Sequence, residues 1–184
     1  MNQPWSKIRK TLEQDRLCES LRGRVQYFAT RYHGAPDRYG RFSVRVDGEE
    51  VLHANPYNEG YAYELAARLR GELGVPRRQW GDDGTILYDE ENIAVENRAA
   101  AQMMLEDKMA DWQAYSAIED YLQMDIAAAL VSENPMIRVL AVLDRRVGRR
   151  TLEKLADELE QQPEWAQYFY RLRMDAEDVK YQDK

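Results

Sequence analysis

At the start of the chain Trp5, Ile8 and Leu12 share one helical face while Leu17, Cys18 and Leu21 lie on others, and an alternating spacing of apolar and polar residues follows. The pattern predicts a helix over residues 5–21, because Pro4 precedes this segment and Gly23 follows it. From Arg24 onward the period changes to two, which is typical of β-strands. The alternation continues, with one loop, as far as Asn55 and therefore predicts a small antiparallel sheet.

The dipeptide Asp47-Gly48 predicts a tight hairpin between the second and third strands. A two-residue type I′ turn needs positive φ at both central positions, which these residue types tolerate. The turn also predicts a register. The expected cross-strand pairs are Val46 with Glu49, Arg45 with Glu50, Val44 with Val51, Ser43 with Leu52, and Phe42 with His53. The apolar face of this meander should be covered by the rest of the protein.

The remainder of the chain is predicted to be helical, apart from a loop over residues 75–90. Asn55-Pro56 predicts the start of a helix that ends at Gly74. A helix from Ile93 to Asp111 is predicted next. Four more helices should follow: one through Tyr115 and Ala129, one from Pro135 to Val147, one that begins at Thr151, and one that begins at Pro163.

These patterns predict an α+β fold, with an N-terminal helix, a small antiparallel β-meander and a helical C-terminal half. The expected division is an α+β subdomain at residues 1–80 and a helical subdomain at residues 81–184, within one compact unit. Pro135 and Pro163 open two helices 28 residues apart. That spacing suits stacked helical hairpins of the HEAT kind, and it suits a plain helical subdomain as well.

The composition predicts a cytoplasmic protein with a substantial core. Hydrophobic residues make up 44% of the chain and charged residues 32%. The longest apolar runs, residues 126–131 and 139–143, are far shorter than the roughly 20 residues of a bilayer span. The basic N-terminus has no apolar stretch, so no signal peptide is expected. Cys18 is the only cysteine, which excludes an intramolecular disulfide.

The net charge of −7 is unevenly distributed. Residues 91–134 hold 2 Lys and Arg against 9 Asp and Glu. General nucleic-acid binding depends on a basic surface that neutralises phosphates, and the chain as a whole does not offer one. We therefore do not expect nucleic acid as the partner, although a local basic patch is present nearer the C-terminus.

Two long segments resemble a family of uncharacterised bacterial proteins of similar length. One is WSKIRKTLEQDRLCESLRGRVQYFATRYH, residues 5–33. The other is NPMIRVLAVLDRRVGRRTL, residues 134–152, followed by FYRLRMDAE, residues 169–177. The resemblance implies a bacterial, cytoplasmic protein. It carries over no activity, substrate or catalytic residue.

The side chains that could support catalysis or metal binding are few. A zinc site needs about four His, Cys or carboxylate ligands, and Cys18, His33 and His53 have no ligand spacing. We expect neither a metal nor another cofactor, and we interpret Cys18 as a small apolar residue within a helix. His53 should lie opposite Phe42, where it is either a general base in a pocket or a partly buried histidine at the margin of the sheet.

The segment DRRVGRR, from Asp144 to Arg150, is the most unusual local feature. If the helix continues through it, Arg138 and Arg145 share one face. The candidate binding residues are Arg138, Arg145, Arg146, Arg149 and Arg150. They predict either an anion site, for phosphate, nucleic acid or an acidic partner, or a solvated face with ion pairs to Asp144, Glu153 or Asp157.

Tyr57, Tyr61 and Tyr63 form a second candidate binding surface after the hairpin, because tyrosine is enriched at interfaces. They could equally fill the margin of the core. The leading hypothesis is a non-enzymatic protein-interaction module, of the adaptor or immunity type, whose acidic segment meets another protein. The alternatives are a phosphate or nucleic-acid binder acting through the arginines, and an enzyme with a site near His53. The oligomeric state is left open.

Overall fold

The structure, a computed structural model, describes residues 3–30, 40–87 and 89–181. Its three strands are β1 (Val25–Ala29), β2 (Phe42–Val46) and β3 (Glu49–Ala54). The α-helices of these residues are α1 (Trp5–Lys10), α2 (Asn58–Leu73), α3 (Glu90–Leu105), α4 (Asp111–Gln123), α5 (Ile126–Leu130), α6 (Pro135–Val142), α7 (Arg149–Ala156) and α8 (Glu164–Ala176). This order confirms the predicted α+β fold.

The sheet is the predicted antiparallel meander, with strand order β1-β2-β3. Asp47 and Gly48 both have positive φ, 52° and 92°, as the predicted hairpin turn requires. Along β1, Val25 and Tyr27 are buried on the inner face. The predicted strand order and turn are therefore confirmed.

The predicted register of β2 and β3 is correct next to the turn and wrong beyond it. A β-bulge interrupts the pairing between Val44 and Arg45, and Val51 is the additional residue on β3. Val44 therefore lies opposite Leu52 rather than Val51, and His53 lies opposite Ser43. Phe42 accordingly faces Ala54. The bulge buries Leu52 and leaves His53 exposed, whereas the regular register would have buried an imidazole and exposed a leucine.

Helix α1 is shorter than predicted, because another segment supplies its next backbone partners. It continues as a π-helical stretch, Thr11–Arg16, and ends five residues before Leu21. Leu17 then forms an isolated antiparallel bridge with Asp144, and the amide of Arg145 donates a 2.7 Å hydrogen bond to the carbonyl of Arg16. These contacts join the end of the first helix to the segment that follows α6.

Several other helix ends differ from the prediction for local reasons. Helix α2 starts at Asn58, because the side chain of Asn55 accepts a 3.0 Å hydrogen bond from the amide of Tyr57 and forms a turn first. Helix α3 stops at Leu105 rather than at Asp111. Asp107 adopts φ 54°, a left-handed conformation that ends a helix.

The helix predicted through Tyr115 and Ala129 is divided into two, and the helix predicted from Pro135 to Val147 is shorter than expected. Asp125 interrupts the first, since its side chain caps the amide of Ala127 at 2.8 Å and starts α5. The second ends at Val142, because Asp144 leaves the helix for its bridge. Helix α6 does begin at Pro135, as predicted.

Buried apolar residues form two clusters. The larger cluster joins the inner face of the sheet to α1, α4, α6 and α8, with Trp5, Phe42 and Tyr115 in edge-to-face contact at 6.1–6.2 Å. The smaller cluster joins α2 to α3, with Leu69 and Val95 among its members, and so takes residues from both sides of the predicted boundary at 80. Within the described ranges, the helices are too short or too polar to cross a bilayer.

Candidate functional site

The arginines of the predicted cluster do not form one row. Because α6 ends at Val142, Arg145 does not continue the face that carries Arg138. The half-buried guanidinium of Arg138 instead donates a 2.8 Å hydrogen bond to the carbonyl of Ser132. The alignment that predicted an anion site therefore does not form between these two residues.

The guanidinium of Arg146 forms an ion pair with the buried carboxylate of Asp144. The carboxylate accepts hydrogen bonds from the backbone amide, Nε and Nη2 of Arg146 at 2.6–3.0 Å, and from the hydroxyl of Tyr121 at 2.5 Å. Burial alone would raise the pKa of Asp144, but these hydrogen bonds hold it below its usual value. Burial also raises the pKa of Tyr121. The pair holds the segment after α6 against α4 and is a structural contact.

Arg149 is held by the end of α8. Its guanidinium donates to the carbonyls of Glu177, at 3.3 Å, and Asp178, at 2.9 Å, and pairs with the side chain of Glu153 at 3.2 Å. Arg145 and Arg150 are exposed, and their side chains make no polar contact with any described residue. Of the candidate arginines, these two keep a guanidinium available for an external anion.

The other candidate side chains are separated from one another. His53 is exposed on β3 and lies near the carboxylate of Asp107. Cys18 is buried beyond the end of α1, with its sulfur 3.4 Å from the hydroxyl of Ser20. His33 lies outside the described residues. Where the structure describes the chain, no three His, Cys, Asp or Glu side chains are arranged to hold a metal ion.

A groove along α3, which the sequence analysis did not predict, is one of the concave surfaces of the described residues. It consists of two depressions that share Ala100 and Trp112. One, of about 310 Å³, lies between α3, α4 and the start of α6. The other, of about 290 Å³, lies between α2 and α3. We call the two depressions, with Trp112 between them, the Trp112 groove.

Small residues on α3 form the floor of the Trp112 groove. Val95, Ala99 and Met103 face inward and pack on α2, which turns Ala100 and Ala101 outward. Short side chains at these positions leave room between α3 and its neighbours. The floor is therefore a consequence of where the buried side of α3 lies.

A buried glutamine fixes the wall that carries Trp112. Gln113, 4% exposed, donates from Nε2 to the carbonyl of Ala100 at 2.8 Å and accepts from the amide of Ala110 at 3.0 Å. These bonds tie the first turn of α4 to the middle of α3. The preceding residue, Trp112, keeps 39% of its surface exposed above the groove.

A third depression, which we call the acidic depression, adjoins the groove at Leu105. Its volume is about 540 Å³, and it lies between β3, the α3–α4 turn and the start of α8. Its lining residues are Val51, Leu105, Glu106, Asp107, Glu164, Trp165 and Tyr168. The indole nitrogen of Trp165 donates a 2.7 Å hydrogen bond to the carbonyl of Met104, which fastens α8 to the end of α3.

The two carboxylates of the α3–α4 turn differ in their environments. Glu106 accepts hydrogen bonds from the hydroxyl of Tyr61 at 2.5 Å and from Gln102 at 2.7 Å, and both lower its pKa. Partial desolvation raises the pKa of Asp107. His53 and Lys108 act in the opposite direction on Asp107, because positive charge favours its ionised form.

Negative charge dominates the lining of all three depressions. Carboxylates occur once in the first depression, twice in the second and three times in the acidic depression, against one arginine. That arginine, Arg70, lies 3.8 Å from Glu96 and 3.4 Å from the side-chain oxygen of Asn92. Among the described residues, the groove is thus an apolar surface with an acidic rim.

The structure separates the three predicted tyrosines. Tyr63, 67% exposed, lines the Trp112 groove and donates to Glu59 at 3.4 Å. Tyr61 is bound to Glu106 beside the acidic depression. Tyr57 is 91% exposed and stands apart from both. One of the three therefore belongs to the groove, whose central residue, Trp112, sequence analysis missed.

Comparisons with known proteins identify the family of the chain. The model of the SF0329 protein family matches residues 4–174. These residues include the groove, the acidic depression and nearly all of the two segments for which a family resemblance was predicted. Curated proteins give no match, and solved structures give none either. The chain therefore belongs to the SF0329 protein family.

Proposed function

We propose that the protein is a non-enzymatic interaction module that binds a segment of another protein in the Trp112 groove. The observation that carries this proposal is the exposed indole of Trp112 between two depressions lined mainly by apolar side chains. Tryptophan and tyrosine dominate binding energy at interfaces, because they bury a large area with few rotatable bonds.

The surroundings of Trp112 support the same function. Leu105 is 55% exposed and Tyr63 is 67% exposed along the same surface. Contiguous exposed apolar residues with a polar rim are typical of binding surfaces. The hydrogen bonds of Gln113 hold the walls in place before a partner arrives, so little conformational entropy is lost on binding.

Site-specific cross-linking in the host cell tests this proposal. A photoreactive benzoylphenylalanine at Ala101, on the exposed floor of the groove, is expected to form adducts with one or a few partner proteins. Trp112→Arg should abolish these adducts, because it removes the indole and adds a side chain that fills the groove. The measurement is the pattern of cross-linked bands after illumination.

The matched control places the same photoreactive residue at Asp15, an exposed position on the π-helical stretch after α1. It should give no adduct that depends on Trp112. Identical adducts from both positions, or adducts from Ala101 that survive Trp112→Arg, would contradict the proposal.

Binding of phosphate or nucleic acid receives less support. Two unengaged arginines, Arg145 and Arg150, would contribute only about −2 to the log–log salt slope of DNA binding. We therefore expect no micromolar binding of mixed-sequence DNA or RNA in fluorescence anisotropy at about 150 mM salt. Micromolar binding that Arg145→Glu with Arg150→Glu abolishes would instead favour the arginine cluster as the functional surface.

A further inference from the structure

We infer that the segment bound in the Trp112 groove is basic and amphipathic, and that one of its lysine or arginine side chains enters the acidic depression. The inference rests on the proposed function and names the chemistry of the partner. It follows from the charge of the lining and from the way in which the depressions are joined.

The charge of the lining favours a basic occupant over a neutral or an acidic one. A partner that covered the groove would remove water from the carboxylates at its rim, and a buried charge without a counter-charge is costly. Glu96 is already paired with Arg78 at 3.0 Å and with the single lining arginine, Arg70, at 3.8 Å, whereas Glu59, Glu133 and Glu164 form no ion pair with any described residue. For these three carboxylates a counter-charge would come from the partner, and apolar side chains of the same segment would cover Trp112.

The acidic depression is suited to one long cationic side chain. Trp165 and Tyr168 line it together with the carboxylates of Glu106, Asp107 and Glu164. Lysine and arginine pack their alkyl stems on apolar or aromatic surface and hold the charged group beside acids. Glu106 is engaged by Tyr61 and Gln102, whereas Glu164 is exposed and its side chain has no polar contact with the described residues.

Neighbouring depressions share lining residues. Ala100 and Trp112 belong to both halves of the groove, and Leu105 belongs to both the groove and the acidic depression. A single segment that lay across Trp112 and Leu105 would therefore border all three depressions and could reach Glu164. A helix with apolar residues along one side and basic residues beside them matches this order of apolar and acidic surface.

A second copy of the chain is disfavoured as the occupant. A symmetric dimer through this surface would bring the same carboxylates of both copies together, because an isologous interface places each patch on itself. Like charges at close range cost binding energy. The acidic rim likewise opposes nucleic acid.

Three synthetic helical peptides test the inference. They share one stripe of leucines, and the remaining positions are lysine in the first, glutamine in the second and glutamate in the third. Each is labelled and titrated with the 184-residue protein by fluorescence anisotropy at about 150 mM salt. We expect the lysine peptide to bind at least about tenfold more tightly than the glutamine peptide, and the glutamate peptide not to bind.

Matched variants test whether the peptide binds in the Trp112 groove and the acidic depression. Trp112→Ala should abolish binding of the lysine peptide, and Glu164→Lys should weaken it by about tenfold. Asp15→Lys makes the same change of charge outside the groove and should alter binding by less than about twofold. Thermal unfolding of each variant, followed by circular dichroism, verifies that it is folded.

The outcomes separate this inference from the proposed function. The lysine and glutamine peptides could bind equally well, with binding lost in Trp112→Ala. That result would overturn the inference that the partner is basic, and the groove would remain a protein-binding site. Absence of Trp112-dependent binding by all three peptides would overturn the inference, and cross-linking from Ala101 would then decide the proposed function by itself. Self-association in analytical ultracentrifugation that Trp112→Ala removes would assign the groove to a second copy and overturn the inference too.

Discussion

Replacing Val44 by asparagine is expected to lower the free energy of unfolding by about 3–5 kcal/mol, since it removes a buried apolar side chain and buries an amide without partners. Val44 is 1% exposed and packs against the core opposite Leu52. The same substitution at Val51 should cost at most about 1 kcal/mol, because this half-buried side chain borders water. Asparagine is chosen over aspartate so that the carboxylates near Val51 do not add repulsion.

Urea denaturation of the two variants checks the β-bulge directly. In a regular hairpin Val51 would face Val44, and the two substitutions would be about equally damaging. Equal losses of stability would therefore contradict the bulge. Arg45→Gln, on the outer face of the sheet, provides a third comparison and should cost at most about 1 kcal/mol, although its guanidinium lies 4.5 Å from the centre of the Phe28 ring.

Replacing Asp144 by asparagine is expected to lower the free energy of unfolding by about 3 kcal/mol at neutral pH. Losing one member of a buried ion pair typically costs about 3–5 kcal/mol, and the partial exposure of Arg146 places this pair at the lower end. The asparagine NH₂ group would also meet the guanidinium, so that two donors face each other. Arg145→Gln is the matched control and should change stability by less than about 0.5 kcal/mol.

The effect of Asp144→Asn should depend on pH. The pKa of Asp144 lies below its ordinary value of 3.8, so its ionised form stabilises the fold above about pH 4. That contribution is lost as the pH falls through the lowered pKa. The difference in stability between the wild type and the variant should therefore shrink from pH 5 to pH 2 in chemical denaturation. A constant difference over this range would mean that Asp144 contributes through packing alone.

The predictions that depend on short stretches of sequence agree with the structure. The hairpin turn follows from Asp47-Gly48 because only a few residue types accept positive φ. Gly74 and Pro135 bound their helices for similarly local reasons. The predicted pairing of β2 with β3 was wrong beyond the turn, because the position of a β-bulge depends on which side chains can be buried in the core. Leu52 is buried in place of His53 because of packing against the rest of the protein, and the sequence of the hairpin alone does not predict this.

The groove was missed for a related reason. The spacing of apolar residues joined α3 to the following turn and placed Trp112 just beyond a long helix. The signal that could have corrected this is Asp107, since aspartate is one of the few residues other than glycine that visit the left-handed region. The arginine cluster was predicted to lie on one continuous helix. That helix ends at Val142, because the carboxylate of Asp144 accepts a hydrogen bond from Tyr121.

The bridge between Leu17 and Asp144 has a consequence for how the protein folds during synthesis. The amide of Cys18 bonds to the carbonyl of Leu143, and that of Arg145 bonds to the carbonyl of Arg16, so the end of the first helix finds its partners only when most of the chain exists. Contacts between residues distant in sequence slow folding, because a large loop must close before any stabilisation is gained. The carbonyl of Arg16 and the amide of Cys18 therefore lack these partners until residues 143–145 have left the ribosome. We expect this interval to be the period in which the newly made chain is most prone to aggregate.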